Sequence, residues 1–481
     1  MERRYAEATI PELSAAMAEG RLTSEELTLL YLERIATIDK QGPALNAVLE
    51  INPEALFIAR ALDQERRKTG PRGPLHGIPV LLKDNIDTGD KLHTSAGSLA
   101  LATSYAPRDA FVAAQLRKAG AVILGKANMT EFANFMTEGM PSGYSSRGGQ
   151  VINPYVRSLT PSGSSSGSAV AVAAGLCAVA VGTETSGSIL SPAVNNSVVG
   201  IKPTVGLVSR TGIIPIAVSQ DTAGPMARTV ADAAALLGAM TGIDPADPAT
   251  AVGAGRTHRD YTRFLDAGAL RGARLGVPGG YLDSRLPDEE KRIFTAALEV
   301  LRAQGAELVE STELMVLGAR GWRSKVLVYE FKPSLNAYLA ALGPGAPVRS
   351  LREIINFNNQ HPEATLKYGQ TLLAASEETS GTLTEPEYIQ SRLEDLRRAG
   401  TEGIDAAIER DRLDALVFPG PWGCWIGARA GYPSVTVPAG YMAGGEPMGV
   451  TFTGRAWTEP VLIGLAYAYE QATHHRVAPQ L

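Results

Sequence analysis

Pro161-Ser-Gly-Ser-Ser-Ser-Gly-Ser168 runs without a break into the apolar stretch Ala169 to Val181 and on into Gly182-Thr-Glu-Thr-Ser-Gly-Ser188. Ser/Gly tracts are usually flexible linkers between solvated segments. One that leads straight into apolar residues must instead be folded against a core. The apolar stretch is interrupted by Gly175 and is shorter than the roughly 20 residues a membrane span needs. It reads as a buried helix followed by a buried strand, Ala178-Val-Ala-Val181. Gly163 and Gly167 permit tight backbone and the close approach of another segment. The turn Glu184-Thr-Ser-Gly-Ser188 then presents successive amide N–H groups and a hydroxyl at a strand's carboxyl end, where a developing oxyanion can be held.

Working outward, Ile78-Pro-Val-Leu-Leu82 reads as a short buried strand with Lys83 at its carboxyl end, in the run Gly77-Ile-Pro-Val-Leu-Leu-Lys83-Asp84-Asn85. A helix over Asp109 to Lys118, stopped by Gly120, leads to the strand Ala121 to Gly125. A second such unit runs from Ala273-Arg-Leu-Gly-Val277 through a helix from about Asp288 to Gln304 into Ala306-Glu-Leu-Val309. This alternation predicts a largely parallel sheet covered by helices on both faces. Two helices precede it, Ile10 to Ala18 and one opened by the capping box Thr23-Ser-Glu-Glu26. The second bears Leu27, Leu30, Tyr31, Ile35 and Ile38 at helical period. Strands at Asp414 to Phe418, Ser434 to Val437 and Gly449 to Phe452, then a helix from about Thr458 to Ala472, read as additions to the first sheet. The organisation expected is one α/β domain over residues 1–481, with an N-terminal helical layer at about 1–70 and an inserted helical segment at about 310–410.

Composition narrows the class. The 481 residues are 44% apolar with a formal net charge of −5. The basic clusters, such as Glu65-Arg-Arg-Lys68 and Arg397-Arg398, lie on helical stretches as solvated faces, which argues against a nucleic-acid partner. Cys177 and Cys424 stand far apart without metal-ligand spacing, so neither a disulfide framework nor a structural zinc site is expected. No apolar segment follows Met1-Glu-Arg-Arg-Tyr-Ala-Glu as in a secretory leader. A soluble cytoplasmic protein with no membrane partner is the expectation.

Each motif alone has a plain reading: Lys83 as a solvated strand-end lysine, and Thr185 to Ser188 as a helix-starting turn. Together, Lys83-Asp-Asn-Ile-Asp, Pro161 to Ala169, Gly182-Thr-Glu-Thr-Ser-Gly-Ser-Ile189, Gly200-Ile-Lys-Pro-Thr-Val-Gly-Leu-Val-Ser-Arg210 and Gln220-Asp-Thr-Ala-Gly-Pro-Met-Ala-Arg228 resemble the amidase signature family over nearly the whole chain. The resemblance implies a large mixed, twisted sheet with helices on both faces. It implies Ser188 as nucleophile, Ser164 as a bridging serine after a cis peptide bond, and Lys83 as ultimate base. The interval between Ser164 and Ser188 agrees with the family's spacing and selects Ser164 over Ser165. Backbone N–H groups of Thr185, Ser186, Gly187 and Ser188 would form the oxyanion hole, and no metal or organic cofactor is implied.

The chemistry fits those roles. A serine hydroxyl is a poor nucleophile until its proton is removed, and only an uncharged lysine can take it. Burial of Lys83 under Val80 to Leu82 would disfavour the ammonium. Within the family the likeness is nearest to peptide amidases, on Asn128-Met-Thr-Glu-Phe-Ala133, Ser142 to Gln150, Gly163 to Val172 and Ala466-Tyr-Ala-Tyr-Glu-Gln471. The implied substrate is a small-molecule or peptide amide, with Met129, Thr130 and Trp422 lining its pocket. Ser186 departs from a common glycine and Leu190 from a common arginine. The stretch Pro419 to Gly431 is shorter than in peptide amidases, which suits a more open cleft and admits aryl amides, esters or carbamates.

Three rival readings rank lower. Gly163-Ser-Ser165-Ser-Gly167 is formally a nucleophile elbow, but an α/β-hydrolase needs a strand before it, and Val151 to Thr160 reads as a loop. A penicillin-recognising enzyme needs Ser-x-x-Lys, which no lysine here satisfies. An amidotransferase subunit that passes ammonia to a partner-bound tRNA intermediate is disfavoured by Ser186 and Leu190.

Overall fold

The computed structural model describes residues 3–279, 286–314 and 322–481. Among these, the strands that build the main sheet are β1 (Val48–Ile51), β2 (Pro79–Lys83), β3 (Val122–Ala127), β6 (Val179–Glu184), β7 (Val199–Lys202), β8 (Thr222–Ala227), β9 (Arg274–Pro278), β10 (Glu307–Thr312), β11 (Ala415–Pro419), β12 (Ser434–Tyr441) and β13 (Pro447–Thr453). Their spatial order is β1-β3-β2-β6-β8-β7-β12-β13-β11-β9-β10. A small separate hairpin joins β4 (Tyr144–Ser145) to β5 (Gly149–Gln150).

The sheet is mixed, as the family resemblance implied, and not largely parallel, as the alternation of strands and helices led one to expect. Parallel pairs lie toward the two flanks: β3 with β2, β2 with β6, and β11 with β9 and β9 with β10. The centre is antiparallel from β6 through β8, β7, β12 and β13 to β11. The reason is topological. The helix Leu190–Asn195 connects β6 to β7 in parallel sense, but β8 returns from farther along the chain and inserts antiparallel between them. The tight turn between Tyr441 and Pro447 adds a hairpin that parallel crossovers cannot make.

The strands next to the site are buried along their whole length, as a sheet covered on both faces requires. The N-terminal helices Ile10–Ala18 and Ser24–Arg34 each begin with a capping box, at Thr9 with Glu12 and at Thr23 with Glu26. Only the second was read from sequence. They bury Leu13, Leu27, Leu30 and Tyr31 in the main core. Helices Val326–Ala341, Leu351–Gln360 and Thr371–Glu377 pack Phe331, Leu335, Ile354 and Leu373 against Met129, Phe132, Phe135 and Met136 in a second apolar cluster. This cluster roofs the segment that follows β3. Of the inserted stretch expected at about 310–410, residues 315–321 lie outside the described residues.

Candidate active site

Parallel pairing of β2 with β6, in which Leu82 faces Val181, brings the carboxyl ends of both strands to one edge. Lys83 ends β2 there and is fully buried. Its Nζ lies 2.7 Å from the Ser164 hydroxyl, 2.9 Å from Thr183 Oγ1 and 3.1 Å from the Thr183 carbonyl. Burial pulls its pKa down to about 7, against the opposing fields of Glu184 and Asp221. An amine with that pKa is substantially uncharged at neutral pH. Lys126 and Lys202 are also fully buried. Lys202 donates to the carbonyls of Pro203 and Tyr432, and Lys126 to the Ile86 carbonyl and Thr94. Among the three, Lys83 alone meets a serine.

The serine tract is held residue by residue at this edge. The helix Ser166–Ala173 runs back along the sheet, so the residues before it stand at the carboxyl ends of the strands. The Gly163–Ser164 peptide bond is cis. Ser164 is joined to Lys83, and its carbonyl accepts from the Thr130 amide at 3.1 Å. Ser165 donates to the Thr183 carbonyl and accepts from the Thr183 amide, at 3.0 and 3.2 Å. Ser166 and Ser168 donate to the carbonyls of Ser162 and Val181. Gly167 cannot be replaced, because a Cβ there would stand 2.3 Å from the carbonyl oxygens of both Ala47 and Asn128.

This arrangement argues against the nucleophile-elbow reading, since the Ser165 hydroxyl is occupied on both sides by backbone. Ser165→Ala is expected to leave the Thr183 amide buried without a partner. It should cost about 1–3 kcal/mol of stability, measurable by denaturant unfolding, while fluorophosphonate labelling stays at Ser188. Loss of labelling in a folded Ser165→Ala protein would revive the elbow.

Beyond β6 the chain turns through Thr185 to Ile189 into the helix Leu190–Asn195. The Glu184 carboxylate accepts three backbone N–H groups, from Gly187 at 2.8 Å, Ile189 at 2.7 Å and Leu190 at 3.0 Å. Gly187 has φ +81°, and a Cβ on it would lie 3.0 Å from Cys424 Sγ. The Gly187 amide is thus taken by Glu184 in this structure, whereas it was expected to face the oxyanion. Among the described residues nothing takes the amide N–H groups of Thr185, Ser186 and Ser188. Thr185 is fixed from behind: its hydroxyl donates to Asp221 at 2.5 Å and its carbonyl accepts from Gln220 at 3.1 Å. Burial raises Asp221 to about 6.

Lys83 and Ser164 are sealed from solvent, whereas Ser188 is 6% exposed. Of the three, only Ser188 can be reached by a substrate. Its backbone is tied to the serine tract by the Ser165 amide, which donates to the Ser188 carbonyl at 3.2 Å. Its hydroxyl makes no hydrogen bond among the described residues, so the structure unites Lys83 with Ser164 and leaves Ser188 Oγ free.

Thr130 sits beside Ser164 through its backbone while its hydroxyl accepts from the Gly143 amide. Met129 is buried in the roofing cluster. Trp422 donates its indole N–H to Glu290 at 3.3 Å. Trp425 packs on Trp322 with Arg429 across both rings. Within 419–431, Cys424 lies against Gly187 of the Ser188 turn. Where arginine is common, Leu190 is wholly buried. Sequence reasoning quoted Thr183, Glu184, Asn85 and Asp221 within motifs but gave them no role. The signal for Glu184 was a carboxylate just ahead of a Gly-containing turn with orphan amides. No group of three or more His, Cys, Asp or Glu among the described residues could hold a metal ion. Nor is any helix among them long and apolar enough to cross a membrane.

Residues 26–463 match the amidase family. An Arabidopsis thaliana protein described as a probable amidase is 46% identical over 484 residues, covering 98% of this chain and 91% of that one. The X-ray structure of native peptide amidase from Stenotrophomonas maltophilia superposes with a TM-score of 0.93 at 50% identity, covering 99% of each chain. A peptide amidase in complex with the competitive inhibitor chymostatin superposes with a TM-score of 0.93 at 49% identity, covering 99% of this chain and 100% of that one.

Proposed function

The chain belongs to the amidase signature family and hydrolyses amide C–N bonds, and from that premise we propose that it cleaves carboxamides, foremost the C-terminal amides of peptides, through an acyl-enzyme on Ser188. The observation that carries this reading is the buried Lys83 amine, 2.7 Å from Ser164, beside a turn in which the amides of Thr185, Ser186 and Ser188 have no partner among the described residues. Likeness to peptide amidases supports the choice of substrate.

In this reading the Ser188 hydroxyl turns toward Ser164 as the substrate docks, since catalytic hydrogen bonds tighten in the Michaelis complex. Ser164 takes the proton of Ser188 and gives its own to the Lys83 lone pair. Ser188 Oγ bonds to the amide carbon, and the carbonyl oxygen becomes an oxyanion facing the amides of Thr185, Ser186 and Ser188. The proton returns through Ser164 to the amide nitrogen, the C–N bond breaks and ammonia leaves. Water then attacks the ester by the same relay run a second time, releasing the acid and restoring Ser188.

Incubation with a peptide C-terminal amide is expected to release one ammonia per free acid formed, followed by an ammonia assay and mass spectrometry. Aryl amides, esters and carbamates run alongside would show whether the cleft is broader. Turnover of those with no ammonia from any peptide amide would reassign the leaving group.

A further inference from the structure

We propose that Thr183 is a positioning residue for the base: its carbonyl and hydroxyl take the two N–H groups of the uncharged Lys83 amine, leaving the nitrogen lone pair for the proton of Ser164. The inference rests on the reading of Lys83 as base. A neutral amine has two N–H donors and one lone pair, and the nitrogen here has three oxygen neighbours. The Thr183 carbonyl can only accept, so it must receive an N–H. If the Thr183 hydroxyl receives the other, Ser164 is the one group left to meet the lone pair. Once the proton has transferred, the ammonium has three N–H donors for the same three oxygens, so neither state requires the cradle to move.

Thr183 is itself held in place. Asn85 Nδ2 donates to Thr183 Oγ1 at 3.0 Å and to the Ile214 carbonyl at 3.3 Å. A carbonyl only accepts, so Ile214 settles which end of the Asn85 amide faces Thr183. The Thr183 backbone is clamped on both its N–H and its C=O by Ser165. The charged groups acting on the amine are Glu184, at the end of β6, and Asp221, just before β8. Both lie outside this cradle and are untouched by the test.

Thr183→Val keeps the side-chain shape and deletes the acceptor. We expect kcat/KM for a peptide amide to fall about 10- to 100-fold with KM little changed. The acid limb of the pH–rate profile should move to lower pH, because the buried ammonium loses one of three partners. Thr183→Ser should restore most of the rate and return the limb. Asn85→Leu, which leaves β6 intact, should shift the limb the same way by less. Combined with Thr183→Val it should add little, as expected of residues that act through one another. A rate within about twofold of wild type in Thr183→Val, a fall with the limb unmoved, or additive effects with Asn85→Leu would overturn the proposal. Lys83→Ala separates the two levels of the argument. If it keeps the rate, the base assignment fails. If it abolishes the rate while Thr183→Val is silent, only the role of Thr183 fails.

Discussion

Ser188→Ala is expected to lower kcat/KM for a peptide amide by about 10⁴-fold or more, the scale on which removal of a serine nucleophile acts, and to abolish fluorophosphonate labelling. The size follows from what the turn leaves intact. Glu184 still fixes Gly187, Ile189 and Leu190, and the amides of Thr185 and Ser186 keep their direction, so binding persists and KM should stay near its wild-type value. What is lost is the covalent route. Because the Ser188 hydroxyl makes no hydrogen bond among the described residues, its removal should change stability by no more than about 0.5 kcal/mol. An inactive variant with an unchanged unfolding curve would localise the loss to chemistry. Peptide mapping of the labelled wild-type protein gives the opposing outcome: modification of Ser164 or Ser165 with Ser188 untouched would remove the nucleophile assignment.

Ser164→Ala completes the comparison at the relay. The Lys83 amine then has no hydroxyl through which to reach Ser188, so the rate should fall while Ser188 still reacts slowly with fluorophosphonate. Together these variants distinguish a nucleophile from the group that activates it.

The candidate site was partly legible in sequence because its residues are concentrated in short runs at strand ends. Lys83 closes a strand of apolar residues and the Thr185–Ser188 turn follows another, so a local reading puts both at strand carboxyl ends, whereas Ser164 was singled out only by the family resemblance. The centre of the sheet was not legible in the same way. β8 contains Gly224-Pro225, residues that local propensity assigns to turns and sheet margins. They are tolerated between β6 and β7 because neighbouring strands, not local preference, hold that segment extended. Thr183 escaped notice for a different reason. A threonine in a strand is ordinary, and only the parallel register of β2 with β6 reveals that its oxygen ends beside an amine a hundred residues away. That the Glu184 side chain folds back onto its own turn and takes the Gly187 amide is likewise something spacing alone does not disclose.

Lys83→Met should produce the second large effect, a fall in kcat/KM of about 10³-fold or more, together with a changed dependence of both rate and stability on pH. With the amine at about 7, wild-type kcat/KM should rise as pH passes through that value and level off above it, since the deprotonated form is the competent one. Stability has its own sign. In the unfolded chain the lysine titrates near its ordinary value of 10.5. Between about 7 and 10.5 the unfolded state binds more protons, and the free energy of unfolding therefore increases with pH over that window. Below 7 both states are protonated and the penalty for burying the charge is constant. Over the whole window this one group contributes on the order of 5 kcal/mol. Methionine carries no proton, so the slope should flatten in the variant, although Ser164 and Thr183 lose a donor and offset part of the gain. Denaturant unfolding at several pH values measures the slope directly. If wild type and Lys83→Met showed equal slopes between neutral and alkaline pH, the buried amine would not be shifted in the folded protein, and an uncharged lysine could no longer be the base that activates Ser188.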